Sequence, residues 1–201
     1  MPDALAILTS PKWTKAIFVR DPKERTLSAY LDKAARNDGS YVTRHCCQND
    51  LEKKKELGDK FTTCGERASN SFLGFLQVVK DQCCCDPHWR PQSTRIDDAF
   101  KPFINFVGYF DQAHDETRRM LTETSLRLGG QEEEELWKRF GANGWGPDHS
   151  DAIFSESTKA KHQTSAITKL QQYYNSTVEA LVDQIYGKDY RDPLLEFAPM
   201  K

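Results

Sequence analysis

Three side chains near the start of the 201-residue sequence have the types and spacing to hold a phosphate. They lie in Val19-Arg20-Asp21-Pro22-Lys23-Glu24-Arg25-Thr26-Leu27-Ser28-Ala29-Tyr30. Arg25 and Ser28 are three residues apart, which puts them on one face of a helix. Two guanidiniums, a hydroxyl and the free amides of a helix start can surround an anion with charge-assisted hydrogen bonds. The same residues admit a purely structural reading, in which Arg20 pairs with Asp21 or Glu24 and Ser28 is a small polar helix residue.

Positioning such a group needs a strand that ends where a helix begins. Ala16-Ile17-Phe18-Val19 is a continuous apolar run, the pattern of a strand buried on both faces of a parallel sheet. Arg20 then stands at the carboxyl end of that strand, where ligands bind in open α/β sheets. Asp21 is a good N-cap and Pro22 a good first helical residue. The helix is expected to run to about Arg36, with Leu27, Tyr30, Leu31 and Ala34 along one face.

Further along, residues 37–70 are polar and carry three cysteines, and read as a surface excursion. Ser71 caps a second helix with Phe72, Phe75, Leu76 and Val79 on one face, and Cys83 to Arg95 is a loop. Ile104 to Tyr109 reads as a second buried strand. A helix follows from about Gln112 to Leu128, closed by Gly129-Gly130. Glu132 to Phe140 reads as a short acidic helix with a solvated face, and residues 141–151 as a glycine-rich loop. Two more helices span Ser165–Tyr174 and Thr177–Tyr186, the second opened by a capping box of Ser176 with Glu179. Strands alternating with helices give an α/β layered domain.

Composition narrows the function classes. The 28 basic and 30 acidic residues leave a net charge of −2, which carries no nucleic-acid signal. No apolar run approaches the about 18 residues a membrane helix needs. The short Ala4 to Leu8 stretch, with no basic residue before it, is not a secretory signal. Six cysteines cluster as Cys46, Cys47, Cys64 and as Cys83, Cys84, Cys85. They lack a Cys-x-x-Cys pair, so no metal site is expected and disulfides between the clusters are, such as Cys46 or Cys64 with Cys83 or Cys85. The sequon Asn175-Ser176-Thr177 fits a lumenal or secreted glycoprotein.

The segment Phe18-Val-Arg-Asp-Pro-Lys-Glu-Arg-Thr-Leu-Ser-Ala-Tyr-Leu-Asp-Lys33 resembles the 3′-phosphate-binding motif of Golgi carbohydrate sulfotransferases, in particular the chondroitin and dermatan 4-O-sulfotransferases. The resemblance continues in order through Ser71-Phe72 to Leu76, Asp86-Pro87-His88-Trp89-Arg90-Pro91-Gln92, Asn105-Phe-Val-Gly108, Tyr173-Tyr174-Asn175, Tyr186 and Asp189-Tyr190, covering about residues 13 to 197. It implies a P-loop-kinase-like sulfotransferase fold, a central parallel sheet flanked by helices, in a single domain over 1–201. It also implies a membrane-anchored enzyme of the Golgi lumen that moves a sulfuryl group from 3′-phosphoadenosine 5′-phosphosulfate to a glycan hydroxyl, without a metal.

On that resemblance Arg20 and Ser28 bind the 3′-phosphate with Arg25 nearby. Lys159 to Thr164 corresponds to a late cofactor loop, with Lys161, His162 and Thr164 as candidates. His88 is the histidine inside a family-like motif, either the catalytic base or part of a loop lock with Trp89. The family's Pro-Lys strand-loop-helix, which holds the 5′-phosphosulfate, has no counterpart ahead of the strand. Pro11-Lys12 is followed by Trp13-Thr14 and then the strand itself. The expectation is therefore a domain incomplete at its amino-terminal side. The alternative to an active transferase is a non-catalytic nucleotide- or glycan-binding remnant.

Overall fold

The computed structural model describes residues 4–36, 38–82, 86–129 and 164–197. In chain order its principal elements are α1 (Ala4–Thr9), β1 (Ala16–Val19), α2 (Pro22–Ala29), α3 (Ser40–Cys46), α4 (Gln48–Leu57), α5 (Cys64–Asn70), α6 (Phe72–Gln82), β2 (Phe106–Tyr109), α7 (Ala113–Arg127), α8 (Ala166–Tyr173) and α9 (Ser176–Arg191). The fold is α/β as expected, mostly helical with a small parallel sheet. The single domain expected from the sequence divides into two compact units, Met1–Arg20 with Ile96–Lys161 and Asp21–Arg95 with His162–Lys201. No helix among the described residues is long and apolar enough to cross a membrane.

The first unit holds the two strands. They pair in parallel, Ala16 with Phe106 through Val19 with Tyr109. Both are short apolar runs, and Val19 and Phe106 are buried. Asn105 sets the register: its side-chain oxygen accepts from the Lys15 amide at 2.9 Å and its side-chain nitrogen donates to the Trp13 carbonyl at 3.1 Å. Helix α7 follows β2 closely. Its Arg119 stands 4.2 Å over the Phe106 ring and donates to the Val107 carbonyl at 2.6 Å.

The second unit carries a continuous helical core. Asp21 caps α2 by accepting from the Glu24 amide, with Pro22 in the first turn. Leu27, Tyr30 and Ala34 are buried along the expected face. The helix does not stay α-helical to Arg36. From Tyr30 to Ala35 it is a π-helix, a departure often found at functional sites. Helix α6 buries Phe72, Phe75, Leu76, Val78 and Val79, and Ser71 accepts from the Gly74 amide at its start.

Two expectations are corrected here. Residues 38–70 are not a surface excursion: α3 and α5 send Val42, Cys64 and Ala68 into the core, while the charged α4 has no buried residue. The cap of α9 is Asn175, which accepts from the Val178 amide at 3.0 Å, and not Ser176 with Glu179. Glu179 instead pairs with Lys23 at 3.0 Å. An asparagine one residue earlier satisfies the same orphan amide, leaving the glutamate for a cation on α2.

Helices α3 and α5 cross at glycines. A Cβ on Gly65 would stand 1.9 Å from the Thr43 hydroxyl and 2.1 Å from the Gly39 carbonyl oxygen. Gly39 itself has φ +71°, so neither backbone can shift cheaply. Gly65→Ala is therefore expected to lower stability by about 1–3 kcal/mol, read as a shift in urea midpoint. An unchanged midpoint would contradict this crossing.

The disulfide between Cys47 and Cys64 closes the same region. It replaces the expected pairing of Cys64 with Cys83 or Cys85, because α5 brings Cys64 back against the end of α3. Cys46 is disulfide-bonded as well. Cys83, Cys84 and Cys85 lie outside the described residues, as do the segments 132–140 and 141–151.

Candidate functional site

Arg20 directly follows β1, as the sequence requires of a strand-end residue, and closes the first unit. There its guanidinium lies 6.0 Å from the centre of the Phe110 ring. An aromatic face beside a half-buried cation holds it without neutralising it.

In the second unit, α2 displays Ser28 two residues before the π-helix. The Ser28 hydroxyl is 2.9 Å from the Thr164 hydroxyl, 136 residues further along the chain. The Thr164 carbonyl in turn accepts from the Lys169 ammonium at 3.0 Å. Two hydroxyls and a cation thus meet beside α2. Hydroxyls rotate to suit their partner, so this pair can turn toward an anion without moving the backbone. Lys161 and His162 lie outside the described residues.

Arg25 is directed elsewhere. Its two terminal nitrogens donate to the carbonyls of Arg90 at 2.9 Å and Pro87 at 3.2 Å. Rather than sharing one ligand with Ser28, it ties α2 to the loop that carries His88.

That loop is pinned from several sides. Trp89 is fully buried, edge-on to Phe75 at 5.3 Å, and its carbonyl accepts from the Tyr186 hydroxyl at 2.8 Å. The fully buried Asp189 carboxylate accepts the Gln92 and Ser93 amides at 2.9 and 2.8 Å, capping the short 3-10 turn there. Arg95 adds a hydrogen bond to the Pro87 carbonyl. Burial pushes the Tyr186 hydroxyl up to about 12, so it remains a proton donor at neutral pH.

His88 sits at the exposed edge of this lock. Its Nδ1 is 2.9 Å from Asp86 Oδ1 and 3.1 Å from the Tyr41 hydroxyl, and Tyr41 donates to Asp86 Oδ2 at 3.2 Å. Burial, and then the neighbouring Asp86 carboxylate, raise Tyr41 above the ordinary phenol range. The two residues of the motif differ in their surroundings. Trp89 is the lock, while His88 is 39 % exposed and hydrogen-bonded to a carboxylate that is 6 % exposed.

The sequence model of the sulfotransferase family matches residues 3–192. The chain belongs to the sulfotransferase family. Comparison with curated proteins and with solved structures gave no match.

In this sulfotransferase-family chain the sequence nominated Ser28 and Thr164 from opposite ends, and the second unit brings them together. Lys169 was missed. It is a lone lysine in an ordinary amphipathic helix, and only its place five residues beyond Thr164 hints at a role. Asp86 and Tyr41 were also missed as partners of His88. The Asp-x-His spacing of Asp86 is a readable signal for a carboxylate on an imidazole. Tyr41 had none. The described residues contain one grouping of metal-ligand type, Cys47, Asp50 and Cys64, with donor atoms within 4.8 Å. Its two sulfurs form the disulfide, and Asp50 accepts from the Cys64 amide at 2.8 Å.

Proposed function

We propose that this sulfotransferase is a carbohydrate sulfotransferase of the Golgi lumen, akin to the chondroitin and dermatan 4-O-sulfotransferases. It uses 3′-phosphoadenosine 5′-phosphosulfate as donor and a glycan hydroxyl as acceptor. The observation that carries the reading is the Ser28–Thr164 hydroxyl pair. It joins the motif that resembles a 3′-phosphate site to the segment that resembles a late cofactor loop. Lys169, holding the Thr164 carbonyl, adds a cation where an anionic nucleotide needs one.

The roles are those the resemblance implies. Arg20 and Ser28 are assigned to the 3′-phosphate, and Lys161, His162 and Thr164 to contacts with the nucleotide. His88 takes the proton of the acceptor hydroxyl. The hydroxyl oxygen forms the new bond to sulfur, the bond from sulfur to the 5′-phosphate oxygen breaks, and adenosine 3′,5′-bisphosphate leaves. As in phosphoryl transfer, positioning and electrostatics supply most of the rate. A disulfide-bonded core and an exposed Asn175 in a sequon agree with a lumenal glycoprotein.

The test is transfer of labelled sulfate from the donor to desulfated chondroitin, dermatan and other glycans by the full chain. Labelled glycan whose yield at subsaturating donor falls about fivefold in Ser28→Ala supports the reading. Binding of the nucleotide without transfer to any glycan would favour the non-catalytic module instead.

A further inference from the structure

The geometry points to Asp86, aided by Tyr41, as the positioning residue that fixes the His88 imidazole with its proton on Nδ1 and its lone pair on Nε2. This rests on the reading of His88 as the base.

The argument begins with the carboxylate. The Asp86 side chain is only 6 % exposed. A carboxylate shut away from water must be surrounded by donors, because it can only accept. Three are present: the His88 amide at 2.8 Å to Oδ1, the Tyr41 hydroxyl at 3.2 Å to Oδ2, and His88 Nδ1 at 2.9 Å to Oδ1. Two acceptor lone pairs at 2.9 Å would repel, so the Nδ1 position carries the hydrogen. Tyr41 spends its proton on Asp86, and its oxygen, 3.1 Å from Nδ1, is then a second acceptor for the same N–H. Both contacts run through Nδ1, which leaves Nε2 as the basic nitrogen of a ring that is 39 % exposed.

Orientation is fixed along with the tautomer. The Tyr41 ring meets His88 edge-on at 5.3 Å and is itself held by His45, stacked at 4.2 Å, and by Lys33 at 5.5 Å. Behind the imidazole, Trp89 is fully buried and the Pro87 and Arg90 carbonyls are held by Arg25. An imidazole with a fixed tautomer loses no time in the wrong proton state, as carboxylate–histidine pairs achieve in other catalytic sites.

The experiment is a long-range proton–nitrogen correlation spectrum of the full chain at a pH where His88 is neutral, with its signals assigned by their loss in His88→Gln. The native chain is expected to show a protonated Nδ1 and an unprotonated Nε2. Asp86→Ala is expected to move the proton to Nε2. The same variant is expected to lower kcat for desulfated chondroitin about 100-fold, with KM within about twofold, while Tyr41→Phe keeps the tautomer and costs about tenfold or less. A native chain with its proton on Nε2, or an Asp86→Ala variant with the native tautomer, would overturn the proposal. His88→Gln transferring sulfate at the native rate would overturn the base assignment itself, whatever the tautomer.

Discussion

Trp89→Ala is expected to destabilise the second unit by about 3–5 kcal/mol, the range for removing a large aromatic side chain from a packed core. The indole is fully buried and packs edge-on to Phe75 at 5.3 Å and to Tyr41 at 6.1 Å. Those partners come from α6 and α3, so the cavity would open where two helices and the His88 loop converge. The Trp89 carbonyl also accepts the Tyr186 hydroxyl at 2.8 Å, and that backbone position depends on the indole staying in place. Relaxation is restricted because Asp189 and Arg25 hold the loop on either side. Chemical denaturation of the variant checks it, beside Trp13→Ala. Trp13 is 51 % exposed, and its loss is expected to change stability by about 0.5 kcal/mol or less. Similar midpoints for the two variants would show that the loop lock is not structural.

Arg20→Ala is expected to weaken binding of adenosine 3′,5′-bisphosphate by about 2–4 kcal/mol, or roughly 30- to 1,000-fold. The reason is charge-assisted hydrogen bonding of a guanidinium to a phosphate. Stability is expected to change little, since Arg20 ends its strand and is not part of the core that Val19 and Phe106 form. Ser28→Ala is expected to have a smaller effect of about 1 kcal/mol, because one neutral hydroxyl is lost. Calorimetric titration separates the two variants. Equal, unchanged affinities would remove the 3′-phosphate from this end of the chain.

The parts of the fold legible in the sequence were those set by local chemistry. Asp21-Pro22 announced the start of α2, and Ser71 with its apolar period announced α6. Two β-branched or aromatic runs announced the parallel pair. Length and period sufficed because each of these elements is long enough, or apolar enough, to show its own face. Helices α3 and α5 are seven residues each, too short for a period to stand out among charged neighbours. They are held by a glycine crossing and a disulfide, which are contacts between segments and not patterns within one. The capping box at Ser176 was a correct motif that lost to a better cap one residue earlier.

The candidate site divides along the same line. Ser28 was legible because its motif is contiguous. Its neighbour Lys169 and the Tyr41 corner of the Tyr41–Asp86–His88 triangle were not, since each comes to Ser28 or His88 from a distant stretch of chain, whereas Asp86 stands two residues from His88. The Tyr41–His88 contact spans 47 residues and the Ser28–Thr164 contact 136. Arg25 shows the limit of spacing arguments. It does share a helix face with Ser28, yet its guanidinium reaches the other way, to the carbonyls of Pro87 and Arg90.

The most direct test of the central claim, a sulfotransferase domain built around a 3′-phosphate site, is calorimetric titration of the full chain with adenosine 3′,5′-bisphosphate beside adenosine 5′-monophosphate. The two ligands differ only in the 3′-phosphate that Arg20 and Ser28 are assigned to hold. The account predicts saturable binding of the bisphosphate at least about 30-fold tighter than of the monophosphate. Equal affinity for the two, or no binding of either by the folded chain, would contradict it.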